Sequence, residues 1–509
     1  MTLGTTILLC AIIAMSLVGS FGPRPAMAQG EPKRGGTLTA AIGADPVNLD
    51  PHLSSAYSTF EVLENVYNQL VGLDDNLQIV PEIAESWTVS ADKLTYTFKV
   101  RQGVKFHNGR VLTSADVVYS YERIRNPDTK SGWAYLFDPI DKIQAPDAST
   151  VVISTKKIYA PLLTKLASSG TAIVPKEDVD AGTIGQKPDG TGPFTFVEFV
   201  PADHLTIARN ENYWEEGLPY LDQVIFKSIP DETVKQTNLE TGNVDWSDGV
   251  PAKDANKLME SKDLVVQQVA GTSYEYIGFN MKRKPFDDKR VRQAISYALD
   301  REEVAAIAAY DLAVPSQSAI PEGNFWRSDY APYTRDIDKA KSLLAEAGVG
   351  DGFKAEIMPA KDYAETVRAG EAVQSQLQDV GIDITLRPLE WSTWLDEEGH
   401  GNYDMYICGW IGLVDPDDWF YAQQYTKQIF NFTGYSNPKL DQLLDQGRQE
   451  LDPTKRKAIY DQIQQIVVDD LPYAYLYTTA PVNAWQPYVK GYVVRPDSAI
   501  VLKNAWLDK

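Results

Sequence analysis

Apolar and polar positions follow two different periods along this chain, and the period changes often. Leu94, Tyr96, Phe98 and Val100 alternate with Thr95, Thr97 and Lys99, the period-two pattern of a strand with one buried face. Phe60, Leu63, Val66, Tyr67 and Leu70 recur at three- and four-residue spacing, which predicts an amphipathic helix over 57–70. Thr113-Ser114-Ala115-Asp116 reads as the cap of a helix carrying Val117, Val118, Tyr121 and Ile124. Further strands are read at 38–42, 151–154, 194–199, 205–208, 224–229 and 274–280. From Asp287 the spacing turns helical, with Val291, Ala294, Ile295, Ala298 and Leu299 in one stripe. Helices at 340–347 and 364–380 stop at Gly348 and Gly381, residues suited to a left-handed C-cap. A strand follows at 382–386, and helices at 438–446 and 454–468 precede a strand at 474–477.

The densest chemistry lies at 402–420. A strand over 403–408 runs into Gly409-Trp410-Ile411-Gly412, which brings backbone and a large aromatic face to the end of a sheet, where a ligand has access. Asp415, Asp417 and Asp418 follow, beside Trp419 and Phe420. Carboxylates next to aromatic planes suit a ligand with a cationic or hydroxylated group and a flat or apolar part. The plain alternative is a solvated acidic turn after a core strand. Near the N-terminus, Pro46 and Pro51 pin an extended loop, and His52, Ser54 and Ser55 precede the helix at 57, where polar groups either cap it or receive an anion.

Charge and composition narrow the classes. An apolar run over 7–18, followed by the small-x-small site Ala26-Met27-Ala28, reads as a cleavable leader over 1–28 and an exported, periplasmic protein. The formal charge is −22, and one unit more negative once a leader whose single charged residue is Arg24 is removed. That argues against nucleic acid and anionic membrane partners. Beyond Cys10 in the leader the chain has one cysteine, Cys408, so no intrachain disulfide staples it, and its length allows two large lobes, each with its own core. There is no phosphate-binding glycine loop, dinucleotide fingerprint, zinc-helix motif or nucleophile elbow. The four histidines are scattered, so neither metal nor cofactor is called for. Eleven tryptophans and 27 tyrosines with so little catalytic vocabulary point to recognition rather than reaction.

The order of several short motifs resembles the family 5 extracellular solute-binding proteins of bacterial ABC importers, the cluster of dipeptide-, oligopeptide- and nickel-binding proteins. The motifs are Trp87-Thr88-Val89-Ser90, Val104-Lys105-Phe106-His107-Asn108-Gly109, Gly190-Thr191-Gly192-Pro193-Phe194, Asn212-Tyr213-Trp214, the segment 286–294, Glu390-Trp391, Gly409-Trp410 and Asp415-Pro416. The resemblance implies an α/β, two-lobed fold that closes on its ligand like a flytrap. Lobe I would comprise 29–75, 181–274 and 481–509, with an inserted subdomain at 76–180, and lobe II 275–480. It also implies a monomer that delivers a peptide or peptide-like solute to an inner-membrane permease.

In peptide-binding members the two tryptophans, here Trp391 and Trp410, line the cleft, and an aspartate three residues after the second holds the peptide amine. This chain has Leu413 there, after Gly412, and reaches Asp-Pro one residue early, so Asp415 is the replacement candidate, with Asp417 beside it. Some peptide binders place an arginine three residues before the second tryptophan; here it is Ile407. Both departures weaken the case for a peptide amine held in the usual way. Ser54, Tyr274, Glu275, Asn280 and Tyr477 flank the expected hinge or cleft, and Ser247 and Asp248 form a turn that the family places at its edge. The alternatives are an oligosaccharide or opine-like solute in the same fold, a chemoreceptor ligand-carrier, and an exported hydrolase using Asp415 and Asp417 as a carboxylate pair.

Overall fold

A strand that is buried on both faces sets up the first half of the molecule. The computed structural model describes residues 31–411 and 414–509; the leader read at 1–28 and the pair Gly412 and Leu413 lie outside the described residues. In Thr37–Ile42, Leu38, Ala40 and Ile42 join one core with Val62, Val66 and Phe226. Ala41 points into another, with Leu239 and Val244. An apolar run of this kind suits the middle of a sheet covered on both sides. The strand pairs in parallel with Gln223–Ser228 and Trp246–Ser247. His204–Arg209 and Phe194–Val200 extend one edge, and Val482–Trp485 returns near the C-terminus to the other and pairs outside with Val265–Gln268, making seven strands in all.

The second half is built on Ser273–Phe279. It lies between antiparallel Met405–Trp410 and Tyr473–Thr479 in a six-stranded sheet. Phe353–Pro359 and Ile382–Leu386 are added in parallel, joined by the helix Ala364–Gln378. A third sheet, four antiparallel strands within 84–155, packs Phe98, Val151 and Ile153 on the helix Ser114–Arg125. That helix starts with the expected box: Thr113 N–H donates to Asp116 Oδ2 at 2.8 Å.

The chain crosses between the two large sheets at 269–272 and again at 480–481. The crossings lie side by side. A Cβ on Gly271 would meet Thr479 O at 2.5 Å, so only glycine permits that approach.

One element differs from the apolar pattern. The helix expected over 57–70 covers only Tyr57–Leu63. The following carbonyls are claimed from outside: Gly192 N–H donates to Val66 O at 2.9 Å and Phe194 N–H to Asn65 O at 3.0 Å. Asn65 Nδ2 donates to Ile500 O at 2.8 Å. Val66, Tyr67 and Leu70 are buried all the same, so the spacing identified the buried face but not the backbone.

Candidate functional site

A cavity of ≈ 580 Å³ lies between the two halves. The seven-stranded half contributes Glu61, Glu64, Arg495 and 497–501, the segments packed on the four-stranded sheet contribute Trp133 and Lys165, and the six-stranded half contributes Glu275, Trp391 and Trp410.

Trp410 ends the strand Met405–Trp410, opposite Tyr274 in the ladder. Its indole N–H donates to Tyr276 Oη at 3.2 Å, and its ring lies 5.0 Å from that of Phe430. Trp391 is the first residue of the helix Trp391–His400, and its backbone N–H donates to Asp362 Oδ2 at 2.6 Å. Its ring stacks on Trp394 at 5.1 Å and meets Tyr363 edge-on at 5.2 Å. The Trp391 indole N–H is buried without a partner, a donor available to a solute acceptor. Glu398, on the same helix face, is also buried and lines the cavity.

Glu275 reaches the cavity across Gly409. A Cβ on Gly409 would fall 2.0 Å from Glu275 Oε1 and 2.8 Å from Tyr274 O, so this glycine makes room for the carboxylate. Glu275 Oε2 is buried and unpartnered. Burial pushes this carboxyl well above its usual range, and Glu365 pushes it the same way. Farther along the wall, burial and then Asp497 raise Glu64 to about 7.

The acidic turn is occupied. Asp415 accepts two bonds from Arg456, at 2.5 and 2.8 Å, and is absent from the cavity wall. Asp417, fully buried, lies 3.1 Å from Lys165 Nζ and 3.5 Å from Arg448 Nε. Burial alone would raise its carboxyl; Arg448 and Lys165 hold it below the usual range. Asp418 does line the cavity but is paired with the same lysine. Cations from three separate elements therefore consume these carboxylates, which rules Asp415 out as a free amine anchor and Asp415 with Asp417 as a free acid–base pair.

The remaining candidates divide in the same way. Ser54 is buried, with its carbonyl accepting from the Trp133 indole at 2.9 Å, and its neighbour Ser55 lines the cavity instead. Asn280 Nδ2 donates to the carbonyls of Tyr403 and Gly401. Tyr274 and Tyr477 are buried behind the wall. Ser247 donates to Gly249 O, and Asp248 accepts from Lys235 Nζ at 2.6 Å. Gly412 and Leu413 lie outside the described residues. Trp391, Trp410 and Glu275 thus reach the cavity. Glu61, Tyr276, Tyr363, Glu365, Glu398 and Arg495 also reach it and were not read from the sequence. For Glu398 a signal existed: Trp391, Trp394 and Glu398 are spaced for one helix face.

Among the described residues no group of three ligating side chains is placed to hold a metal, and no helix is long and apolar enough to cross a membrane.

Known proteins with this architecture are numerous. The model for bacterial extracellular solute-binding proteins, family 5, matches residues 78–432. The glutathione-binding protein GsiB of Salmonella typhi is 28% identical over 506 residues, 97% of this chain and 98% of its own. That of Escherichia coli (strain K12) is 28% identical over 480 residues, 92% and 94%. Among solved structures, the periplasmic binding protein DppA from Helicobacter pylori with peptide STSA superposes with a TM-score of 0.89 at 27% identity, covering 94% of this chain and 99% of that one. AgaA from A. tumefacien R10 with agropinic acid gives 0.88 at 30% identity, covering 93% and 99%.

Proposed function

We propose, for a chain that belongs to the bacterial extracellular solute-binding proteins, family 5, that the cavity between its lobes captures a peptide or peptide-like solute for an inner-membrane permease. Membership makes it a two-lobed solute-binding protein of the kind that serves ABC importers, and not an enzyme. The finer reading is ours: a periplasmic monomer, with lobe I at 29–274 and 481–509, its subdomain at 76–180, and lobe II at 275–480.

The observation that carries it is a cavity with aromatic walls, Trp391 and Trp410, to which both lobes contribute. A solute there contacts both lobes at once only when they are closed, so binding favours closure. Relatives named for glutathione and a neighbour holding the peptide STSA support a peptide-like ligand. A second reading, a non-peptide solute, is favoured by the neighbour holding agropinic acid and by Leu413 at the position of the usual amine anchor.

Native mass spectrometry of the purified mature protein, followed by denaturing release, tests this. A peptide mass supports the proposal and a non-peptide solute overturns it. If the protein arrives empty, a thermal-shift screen of a di- to pentapeptide library decides: a shift supports the reading, and none in a folded protein overturns it.

A further inference from the structure

Eleven of the residues lining the cavity are Asp or Glu and three are Lys or Arg, and the excess is not spread evenly. Toward the Arg495 end the carboxylates are engaged. Asp497 pairs with Arg495 at 2.5 Å and Glu215 with Lys503 at 2.5 Å. Glu82 accepts from Asn68 Nδ2 at 2.6 Å, and Glu64 from Ser169 Oγ at 2.7 Å. Asp418 has Lys165. At the other end, Glu61, Glu275, Glu365 and Glu398 have no ion-pair partner among the described residues.

Two of these carry atoms that water does not reach. Glu61 is 2% exposed, and its Oε1 has no hydrogen-bond partner. Glu275 Oε2 is in the same condition. The cations whose charge reaches this group are already committed, Lys235 to Asp248 at 2.6 Å and Arg368 to Glu232 at 3.2 Å. Tyr363 feels Glu61 from one lobe and Glu365 from the other, and Glu365 in turn acts on Glu275. All three carboxylates line this one cavity, Glu61 from the seven-stranded half and Glu275 and Glu365 from the six-stranded half. A buried carboxylate without a counter-charge is costly, and Gly409 is kept free of a side chain where Glu275 enters. In the empty protein such a carboxyl stays neutral by keeping its proton, and a cationic group on the solute supplies the counter-charge that lets it ionise.

We propose that Glu275, Glu365 and Glu61 form the anchor for a cationic group of the solute, an alkylammonium or guanidinium held between the two lobes. This rests on the solute-binding reading of the same cavity. It also relocates the amine anchor, since Leu413 cannot serve and Asp415 and Asp417 are consumed by Arg456, Lys165 and Arg448. The unpartnered Trp391 indole N–H adds a demand for an acceptor on the same solute, which a peptide carbonyl meets. Tyr363 and Trp391 offer aromatic faces to the cation.

The test uses the full mature chain, refolded from denaturant to remove retained solute. Isothermal calorimetry is run with Ala-Lys-Ala, its N-acetyl form, Ala-Glu-Ala and spermidine. Ala-Lys-Ala is expected to bind at least ten-fold tighter than the probe that lacks the anchored cation, which is Ala-Glu-Ala if the lysine side chain is held and the N-acetyl form if the α-amine is held. Glu275→Gln and Glu365→Gln, each checked for folding by circular dichroism, are each expected to weaken the cationic probe at least ten-fold. Loss of binding on N-acetylation identifies the α-amine as the anchored group, and retention identifies the side chain; both support the proposal. Binding of spermidine alone supports the cation anchor and counts against a peptide solute. Equal affinity for Ala-Lys-Ala, its N-acetyl form and Ala-Glu-Ala, or wild-type affinity in both glutamine variants, overturns the proposal and leaves the peptide reading intact. If no probe binds the folded protein, the anchor is overturned, and the mass of the retained solute still decides the peptide reading on its own.

Discussion

Trp410 and Asp415 lie five residues apart, and the sequence treated them alike. The structure separates them by what each side chain meets. Trp410 faces the cavity with one edge tied to Tyr276. Trp410→Ala is expected to weaken solute binding by roughly 1–3 kcal/mol, the usual cost of a buried aromatic anchor; titration of a folded variant checks it. Asp415 meets Arg456, 41 residues further on. No local pattern reveals such a partner, so the carboxylate looked free. Removing one member of a buried pair costs about 3–5 kcal/mol, so Asp415→Ala is expected to lower the melting temperature by many degrees while sparing solute affinity at a temperature where it stays folded. Glu275 is titratable in the opposite sense. Its carboxyl is raised by burial and by Glu365, with Cys408 and Tyr477 facing it from the two flanking strands, Arg368 beyond, and Glu61 and Lys235 across the cavity. A raised folded-state value means that this carboxyl holds its proton in the empty folded protein at pH values where the unfolded chain has lost it, so its contribution to stability falls as pH rises above the ordinary carboxylate range. A bound cation pulls the carboxyl back toward its ordinary range. Binding of a cationic solute is therefore expected to release protons and tighten as pH rises. Calorimetry in two buffers of different ionisation enthalpy measures that release directly, and none would mean that Glu275 does not change protonation on binding.

At the level of elements, period-two and helical spacing found most strands and helices to within a few residues. They failed where the backbone serves a distant partner. The segment after Leu63 keeps a helical pattern of apolar side chains but gives its carbonyls to the glycine loop at 190–194. A Cβ on Gly190 would lie 2.2 Å from Val66 O. Neither atom is at the end of a flexible side chain, so Gly190→Ala forces the two segments apart. It is expected to destabilise by about 1–3 kcal/mol, the range for overpacking, as read from urea unfolding. Glu61 lies on the short helix that this loop holds, so the same variant is also expected to loosen the acidic end of the cavity. The strand Met405–Trp410 is the converse case. Its apolar content was legible, and it runs two residues past the expected end, because Gly409 and Trp410 still pair with Glu275 and Tyr274. That extension is what sets Glu275 over Gly409.

At the level of the whole molecule, length allowed two lobes but their bounds were read only through resemblance, because contacts across a cleft join residues from distant parts of the chain. Lys165, on the subdomain helix Leu162–Leu166, reaches Asp417 and Asp418 of the other lobe. Arg448 donates to Tyr159 Oη at 2.9 Å, and Arg368 pairs with Glu232 at 3.2 Å. These contacts join the two halves, between which the chain itself passes only at 269–272 and 480–481 among the described residues. A solute's apparent affinity is its affinity for the closed form reduced by the fraction of molecules already closed. Lys165→Met leaves Asp417 buried with Arg448 as its remaining cation, which penalises the closed form specifically. If closure falls ten-fold in the empty protein, the apparent Kd rises by about ten-fold with the aromatic wall and the acidic end untouched. Small-angle scattering with and without saturating solute checks this. The variant is expected to be more extended than the parent when empty, and to reach the same compact form when saturated. An equally extended saturated form would mean that Lys165 is needed to complete closure, beyond biasing it.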